Sequence, residues 1–400
     1  MKRNRTHVTL AFFLTLVMAL LSAAVAAGAG QPDNGQQGIG QKENEAVTVA
    51  GLEFLGMTTF ETGYQFDGTE VGGLSSITYD SARDVYYVIS DDQGTIDPVR
   101  FYEVEVDIAD GSLDAGDVTF VDVTTLLDEN GEPFAPGSVD PEGIVLWRGG
   151  SLFVSSEGIA AASPPVDPFI WRYDLDGNQT GALPVPQKFL PQRDLRGVRQ
   201  NLGFESLTVT PNDRYLFTAA EGALAQDGPA ADVGQETLAR FIQYDVRRGR
   251  VLSEYVYVAD AVAETPDPPD AFRVSGIVEI LALDNQGTFL VMERSFSVGA
   301  GNTITLYEAR IADATDVAGI NDLYDESSGT PVAFEPIEKR FLLDFDSLGL
   351  VPDNIEGMTL GPRLPDGRYS LLIVSDNNFD PLAITQFIVL GLELESGRER

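Results

Sequence analysis

The chain has 400 residues, with 62 acidic against 26 basic side chains and a formal charge of −36, a surface that repels nucleic acid and anionic membranes and favours cations. Cysteine is absent and the single histidine is His7, inside an apolar N-terminal leader, so the mature chain is expected to hold neither residue. That excludes Ser-His-Asp and Cys-His nucleophiles, zinc sites built on His or Cys, and histidine phosphatases; any chemistry must rest on carboxylates, Arg, Lys, Tyr, hydroxyls, backbone amides or a hard cation.

In chain order, Lys2, Arg3 and Arg5 precede an apolar run from Val8 to Leu21 and the small residues Ala23 to Ala27. This pattern predicts a cleavable signal peptide over 1–27 and a secreted or periplasmic protein with no membrane insertion after cleavage. Residues 28–45, rich in Gly, Gln and Asn, are expected to form a flexible leader, and 46–400 a single domain.

From there a two-strand signature recurs five times. Ser75, Glu142, Glu205, Glu279 and Glu356 open a short apolar strand, and Asp91, Glu157, Glu221, Glu293 and Asp376 close the next one. The openings lie 67, 63, 74 and 77 residues apart. Within the first repeat, strands are expected at Ile77–Asp80, Val85–Ser90, Phe101–Asp107 and Val118–Val123; within the third, at Ser206–Thr210, Tyr215–Ala220, Arg240–Val246 and Val251–Val258. Asp-Gly pairs at Asp67, Asp110, Asp176 and Asp366 mark hairpins. Helical periodicity is scarce, with Ala259–Ala263 and Leu323–Glu326 as brief excursions. The reading is all-β: a single closed β-propeller of five four-stranded blades, six being the alternative count. The 44 residues after Glu356 and the 29 between Ala46 and Ser75 together make one repeat, so an N-terminal strand should complete the C-terminal blade and remove the open edge.

Adjacent antiparallel strands bring their opening and closing residues to the same end of a blade, which would gather nine carboxylates at the channel mouth. At about 4 Å, two such charges repel by roughly 4 kcal/mol at an effective dielectric of 20, so the set needs protons, arginines or a cation. Asp91, Glu142, Glu157, Glu205, Glu279, Glu293, Glu356 and Asp376 are the candidate metal ligands, and calcium suits an all-oxygen set. Alternatively, each Glu accepts hydrogen bonds from a neighbouring blade and locks the ring. No EF-hand is present, because Asp174-Leu175-Asp176-Gly177 lacks the later acid. Against the acidic background, Lys188, Arg193, Arg196 and Arg199 cluster just before Glu205. They are candidates to hold phosphate oxygens, with Arg294 and Arg100 as further candidates.

The run from Arg196 to Leu207, followed by Thr210-Pro211-Asn212-Asp213 and Ala220-Glu221-Gly222-Ala223-Leu224, resembles the phytase-like family of exported propellers, described as having esterase-like activity. Gly73-Leu74-Ser75, Asp140-Pro141-Glu142-Gly143, Asn354-Ile355-Glu356-Gly357 and Ser375-Asp376-Asn377-Asn378 match its other boxes. The resemblance covers about Gly72 to Leu392 and implies a calcium-dependent phosphoester hydrolase acting on an anionic small-molecule ester. Glu205, Glu221, Arg196 and Arg199 would be its catalytic residues; Lys188, Arg193, Arg294 and Arg100 would bind substrate. A non-catalytic binding propeller with structural calcium is the alternative. A carboxylic-ester hydrolase is the third reading, set back by the missing histidine and the missing Gly-x-Ser-x-Gly elbow.

Overall fold

The computed structural model describes residues 46–192, 195–325 and 327–396; the expected signal peptide, the leader and Arg193 lie outside them. Five four-stranded antiparallel sheets are present. The first blade comprises Leu74–Asp80, Val85–Ser90, Arg100–Val106 and Val118–Thr125, and the second Pro141–Trp147, Ser151–Ser156, Phe169–Tyr173 and Gln179–Leu183. The third comprises Phe204–Val209, Tyr215–Ala220, Thr237–Asp245 and Arg250–Ala259, and the fourth Arg273–Ala282, Thr288–Ser297, Gly301–Arg310 and Glu338–Asp344. Asn354–Arg363, Tyr369–Asp376, Ile384–Ser396 and the N-terminal Val47–Glu61 make the fifth. The first strand of each blade touches the first strands of the blades before and after it, which closes a five-membered ring. The two expected helical excursions are absent: Ala259 ends a strand and Tyr324–Asp325 forms part of a two-residue ladder.

Every blade is buried on both faces, so its strands read as near-continuous apolar runs whose alternate residues serve opposite neighbours. In Val85–Ser90, Tyr86 and Val88 pack with Leu372, Val374, Phe387 and Val389 of the fifth blade, whereas Val85, Tyr87 and Ile89 pack with Ile144, Leu152 and Val154 of the second. In the third blade Leu216 and Ala220 face the second, while Phe217 and Ala219 face the fourth. Each of the five blade-to-blade interfaces thus has its own core.

The fourth blade is lengthened by residues 311–337, inserted between its third and fourth strands. Val317 and Leu323 of this segment bury against Val256 on the outer strand of the third blade. Closure rests on Val47–Glu61, which pairs with Ile384–Ser396 from Val47 opposite Ser396 to Glu61 opposite Ile384. The same strand is tied to the fourth blade, where the Val49 amide donates to Glu308 Oε2 at 2.7 Å and Arg340 donates to the Val49 carbonyl at 2.9 Å. Deleting residues 46–61 should leave the Phe387–Leu392 edge open and abolish the single cooperative unfolding transition; a circular dichroism melt with light scattering checks this.

Candidate metal centre at the channel mouth

The mouth is built by a register irregularity that every blade repeats. Just inside each first strand a bulge lifts a residue from the ladder: Ser75, Glu142, Glu205, Val278 and Glu356 in turn. A bulge re-aims its side chain, here toward the channel. The residue before each bulge pairs with Ser90, Ser156, Ala220, Glu293 or Ser375, so the next residue on the second strand stands at the mouth. Those residues are Asp91, Glu157, Glu221, Arg294 and Asp376. The fourth blade therefore contributes an arginine where the other blades contribute mostly acids, and its bulged Val278 joins the apolar core between the fourth and fifth blades. Glu279 and Glu293, expected in the ring, are each one residue out of phase with it.

Glu279 occupies the layer below, equivalent to Ser76, Gly143, Ser206 and Gly357. Its Oε2 accepts the Ser76 hydroxyl at 2.7 Å and its Oε1 the Ile280 amide at 3.0 Å, while the amides of Leu207 and Met358 stabilise its charge against burial. It ties together four blades, the locking role weighed for each Glu from the sequence. Glu293 turns outward between the third and fourth blades, accepting from Tyr257 Oη at 2.6 Å, the Asp260 amide at 2.7 Å and Lys339 Nζ at 2.8 Å.

The remaining acids converge. One oxygen each from Asp140, Glu142 and Glu157 lies within 4.8 Å of the others, and all three residues are buried. Burial pushes Glu142 well above the usual carboxylate range, helped by the charges of Glu205, Asp140, Asp91 and Glu157. Glu205 is raised by burial and by Glu157, Glu221 and Glu356; Asp91 is raised by burial and by Asp376, Glu356 and Asp140. Among the described residues, the cation that pairs with this ring is Arg294, which donates to Glu356, to Asn354 Oδ1 and, at 3.2 Å, to Glu221 Oε1. Burial works against its charge, yet Glu356, Glu221, Glu205 and Asp376 hold its guanidinium firmly protonated. The Arg294 side of the ring is neutralised from within. Among the described residues no basic side chain pairs with the Asp140, Glu142 and Glu157 side, where Asp140 and Glu157 hydrogen-bond each other and Glu157 accepts the Gly203 amide at 3.0 Å; its buried, oxygen-only donor set fits a hard cation such as calcium.

Asp140 is the member of the triangle that sequence reasoning missed as a candidate ligand. Its equivalents are Gly73, Gly203, Gly276 and Asn354, and a Cβ at the three glycines would fall 1.9 Å from Asp91 Oδ1, 2.3 Å from the Glu157 carbonyl and 2.5 Å from Glu221 Cγ respectively. A side chain at a position reserved for glycine in three blades was the available signal.

The family described as "Phytase-like: Esterase-like activity of phytase" matches residues 69–379, well over half of the chain. The chain belongs to the phytase-like family. An uncharacterized secreted protein of Arthroderma benhamiae is 24% identical over 265 residues, covering 58% of this chain and 49% of that one. The chain thus spans about half the length of the curated relative it matches. Hydrazine synthase of Kuenenia stuttgartiensis aligns over 80% of this chain and 83% of its own, at 11% identity and a TM-score of 0.31.

In this phytase-like propeller the described members of the basic run, Lys188, Arg196 and Arg199, are engaged by partners outside the acid ring. Lys188 is buried, its Nζ donating to Glu254 Oε2 at 3.1 Å and to the carbonyls of Ala318 and Ile320 at 2.7 and 3.0 Å, which uses all three ammonium protons. Arg196 pairs with Asp322 at 2.6 Å. Arg199 donates to the carbonyls of Ala223 and Gly228, knitting the loop that follows Glu221. Arg100 is fully buried against Asp92 at 2.8 Å and Tyr102 Oη at 2.7 Å. These side chains hold the fold; of the expected substrate-binding set, the structure brings Arg294 to the ring.

Two expectations follow. Replacing Lys188 with Met should cost about 3 kcal/mol in urea denaturation, because it strips a buried carboxylate of one partner, and should leave turnover per folded molecule unchanged. Burial raises Glu356 from 4.5 to about 8 against the pull of Arg294. A folded pKa above the unfolded one stabilises fully below the unfolded value and loses that contribution as pH rises through the folded value. In a chelator, the melting temperature measured by calorimetry should therefore fall between about pH 4.5 and pH 8, and calcium should flatten that fall.

Proposed function

We propose that the chain is an exported, calcium-dependent hydrolase of anionic esters, phosphate monoesters foremost, working at the mouth of the propeller channel. One observation supports this reading: among the described residues the ring sets a buried carboxylate triangle that no basic side chain pairs with beside a single arginine, so one mouth offers both a candidate hard-cation site and a fixed positive charge. Asp140, Glu142 and Glu157 would hold the cation, with Asp91 and Glu205 flanking it. When bound, calcium polarises an ester oxygen and acidifies water. Sites of this kind on extracellular modules work at Kd values of roughly 0.1–1 mM. Membership of the phytase-like family, the leader-like N-terminus and a relative named as secreted support export and ester chemistry together.

The chain's own residues divide the remaining work. Glu205, held above the usual carboxylate range by burial and by neighbouring acids, is the candidate general base and acid. It takes a proton from the attacking water and returns one to the departing alcohol. The water oxygen bonds to phosphorus, the phosphorus–alkoxide bond breaks, and ester plus water become phosphate plus alcohol. Glu221 positions Arg294 through their ion pair at 3.2 Å, and Arg294 faces the ester's anionic oxygens.

A second reading, a ligand-binding propeller with a structural cation, is favoured by the engagement of Lys188, Arg196, Arg199 and Arg100 inside the fold. Phosphate release from a panel of monoesters, in calcium and in chelator, separates the two. Calcium should raise both turnover and melting temperature; a raised melting temperature with no phosphate release would select the binding propeller. Glu205→Gln should lower kcat about 100-fold while keeping the calcium-induced melting shift, and Glu142→Gln should abolish that shift.

A further inference from the structure

At the same end of the channel as the ring, the loops of the third and fourth blades enclose a cavity of about 350 Å³, within the roughly 300–1,000 Å³ of small-molecule sites. Its position follows from the chain path. Leu202 lies just before the first strand of the third blade, three residues ahead of Glu205, Gly222 directly follows Glu221, and Val274 and Ser275 lie in the strand whose next residue, Gly276, pairs with Arg294. The wall therefore includes the chain neighbour of Glu221 and the residues just before Gly276, the ladder partner of Arg294.

Half of the lining residues are apolar: Leu202, Ala230, Ala231, Phe272 and Val274. Phe272 is 65% exposed, with its ring centroid 6.1 Å from that of Phe296. A large aromatic side chain left that exposed at a cavity rim offers a face for a flat apolar group. The one charged wall residue, Arg273, is spent on Asp232, which accepts from both Nε and Nη2, so the pair brings no net charge into the cavity. Anion recognition is thereby confined to the ring, and the cavity is left for an uncharged group.

We infer that this cavity binds the alcohol portion of the ester, an aryl or short-alkyl group, while its single anionic group reaches the ring beside Arg294. The inference rests on the hydrolase reading for the ester bond, but the cavity's affinity for the free alcohol does not depend on turnover. It sets the preferred substrate apart from polyphosphorylated polyols. Such polyanions need several unspent cations at the mouth, whereas among the described residues Lys188, Arg196, Arg199 and Arg273 are all engaged.

The test uses 1-naphthol, followed by its own fluorescence, together with 1-naphthyl phosphate and glycerol phosphate as substrates of the full chain in calcium. The wild type should bind 1-naphthol and show a KM for 1-naphthyl phosphate about tenfold below that for glycerol phosphate, the scale on which an apolar pocket discriminates. Ala231→Trp, which fills the cavity, should weaken 1-naphthol binding by about the same factor. Phe272→Ala, at an exposed position that folding does not need, should weaken it in the same direction. Equal 1-naphthol binding by the wild type and both variants, or none by the wild type, overturns the inference. Loss of 1-naphthol binding in the variants with no turnover of either ester leaves the cavity assigned and removes the hydrolase reading instead.

Discussion

The space along the channel axis governs the rest of this structure. Five first strands converge so closely that, in the layer beneath the mouth, four blades carry only Ser76, Gly143, Ser206 and Gly357. A Cβ on Gly357 would lie 2.8 Å from the Ser76 Cα, and one on Gly143 would lie 3.0 Å from the Leu207 amide nitrogen. The layer has room for one long side chain, and Glu279 fills it. A buried carboxyl is costly unless several donors surround it, and those donors come from the blades that leave it room. Above this plug the bulged acids Glu142 and Glu205 have fewer donors, and burial raises them with little to offset it. The two layers are chemically different although one residue of register separates them.

That single residue also marks the limit of what the sequence makes legible. The period, the four-strand plan, the apolar runs and the shared last blade were readable because strand patterning and repeat length survive changes of side chain. Convergence of Asp91, Glu142, Glu157, Glu205, Glu221, Glu356 and Asp376 followed from the same period. Glu279 and Glu293 were misplaced because a bulge is invisible in one sequence: the fourth blade carries an acid beside the ring position on both strands, and only the ladder shows which residue faces the channel. Two of the partners of Lys188, the carbonyls of Ala318 and Ile320, lie more than 100 residues away on the fourth-blade insertion, a contact that no local pattern encodes. Its proximity to Glu205 along the chain suggested a shared site that the fold does not make.

For so acidic a protein, the basic residues are placed economically. Arg240, fully buried, meets Asp227 through two bonds and Glu254 through a third, and Lys188 joins the same group. Lys339 sits over the rings of Tyr257 and Tyr307 while pairing with Asp260 and Glu293. Both clusters lie on the flanks of the third and fourth blades, where the inserted segment 311–337 docks, and both consume cations that an anionic ligand would otherwise meet. Arg294 is the exception in location only: it too is paired, but at the mouth, so the ring is electrically lopsided, with fixed positive charge on one side and unmatched acid on the other.

The pairing of Val47–Glu61 with Ile384–Ser396 has a kinetic meaning beyond its contribution to stability. The first strand of the propeller finds its partner in the last, so the ring cannot shut until more than 300 residues of intervening chain are available. Contacts this distant in sequence make a slow, late step. Until it occurs, the fifth blade has an unpaired edge and the fourth lacks the carbonyl and amide groups that Glu308 and Arg340 hold. A chain of this design therefore completes its structure only after the whole domain has been made. The same long-range pairing then acts as a latch, since fraying either terminus opens the ring at one seam while the other four blade interfaces keep their cores.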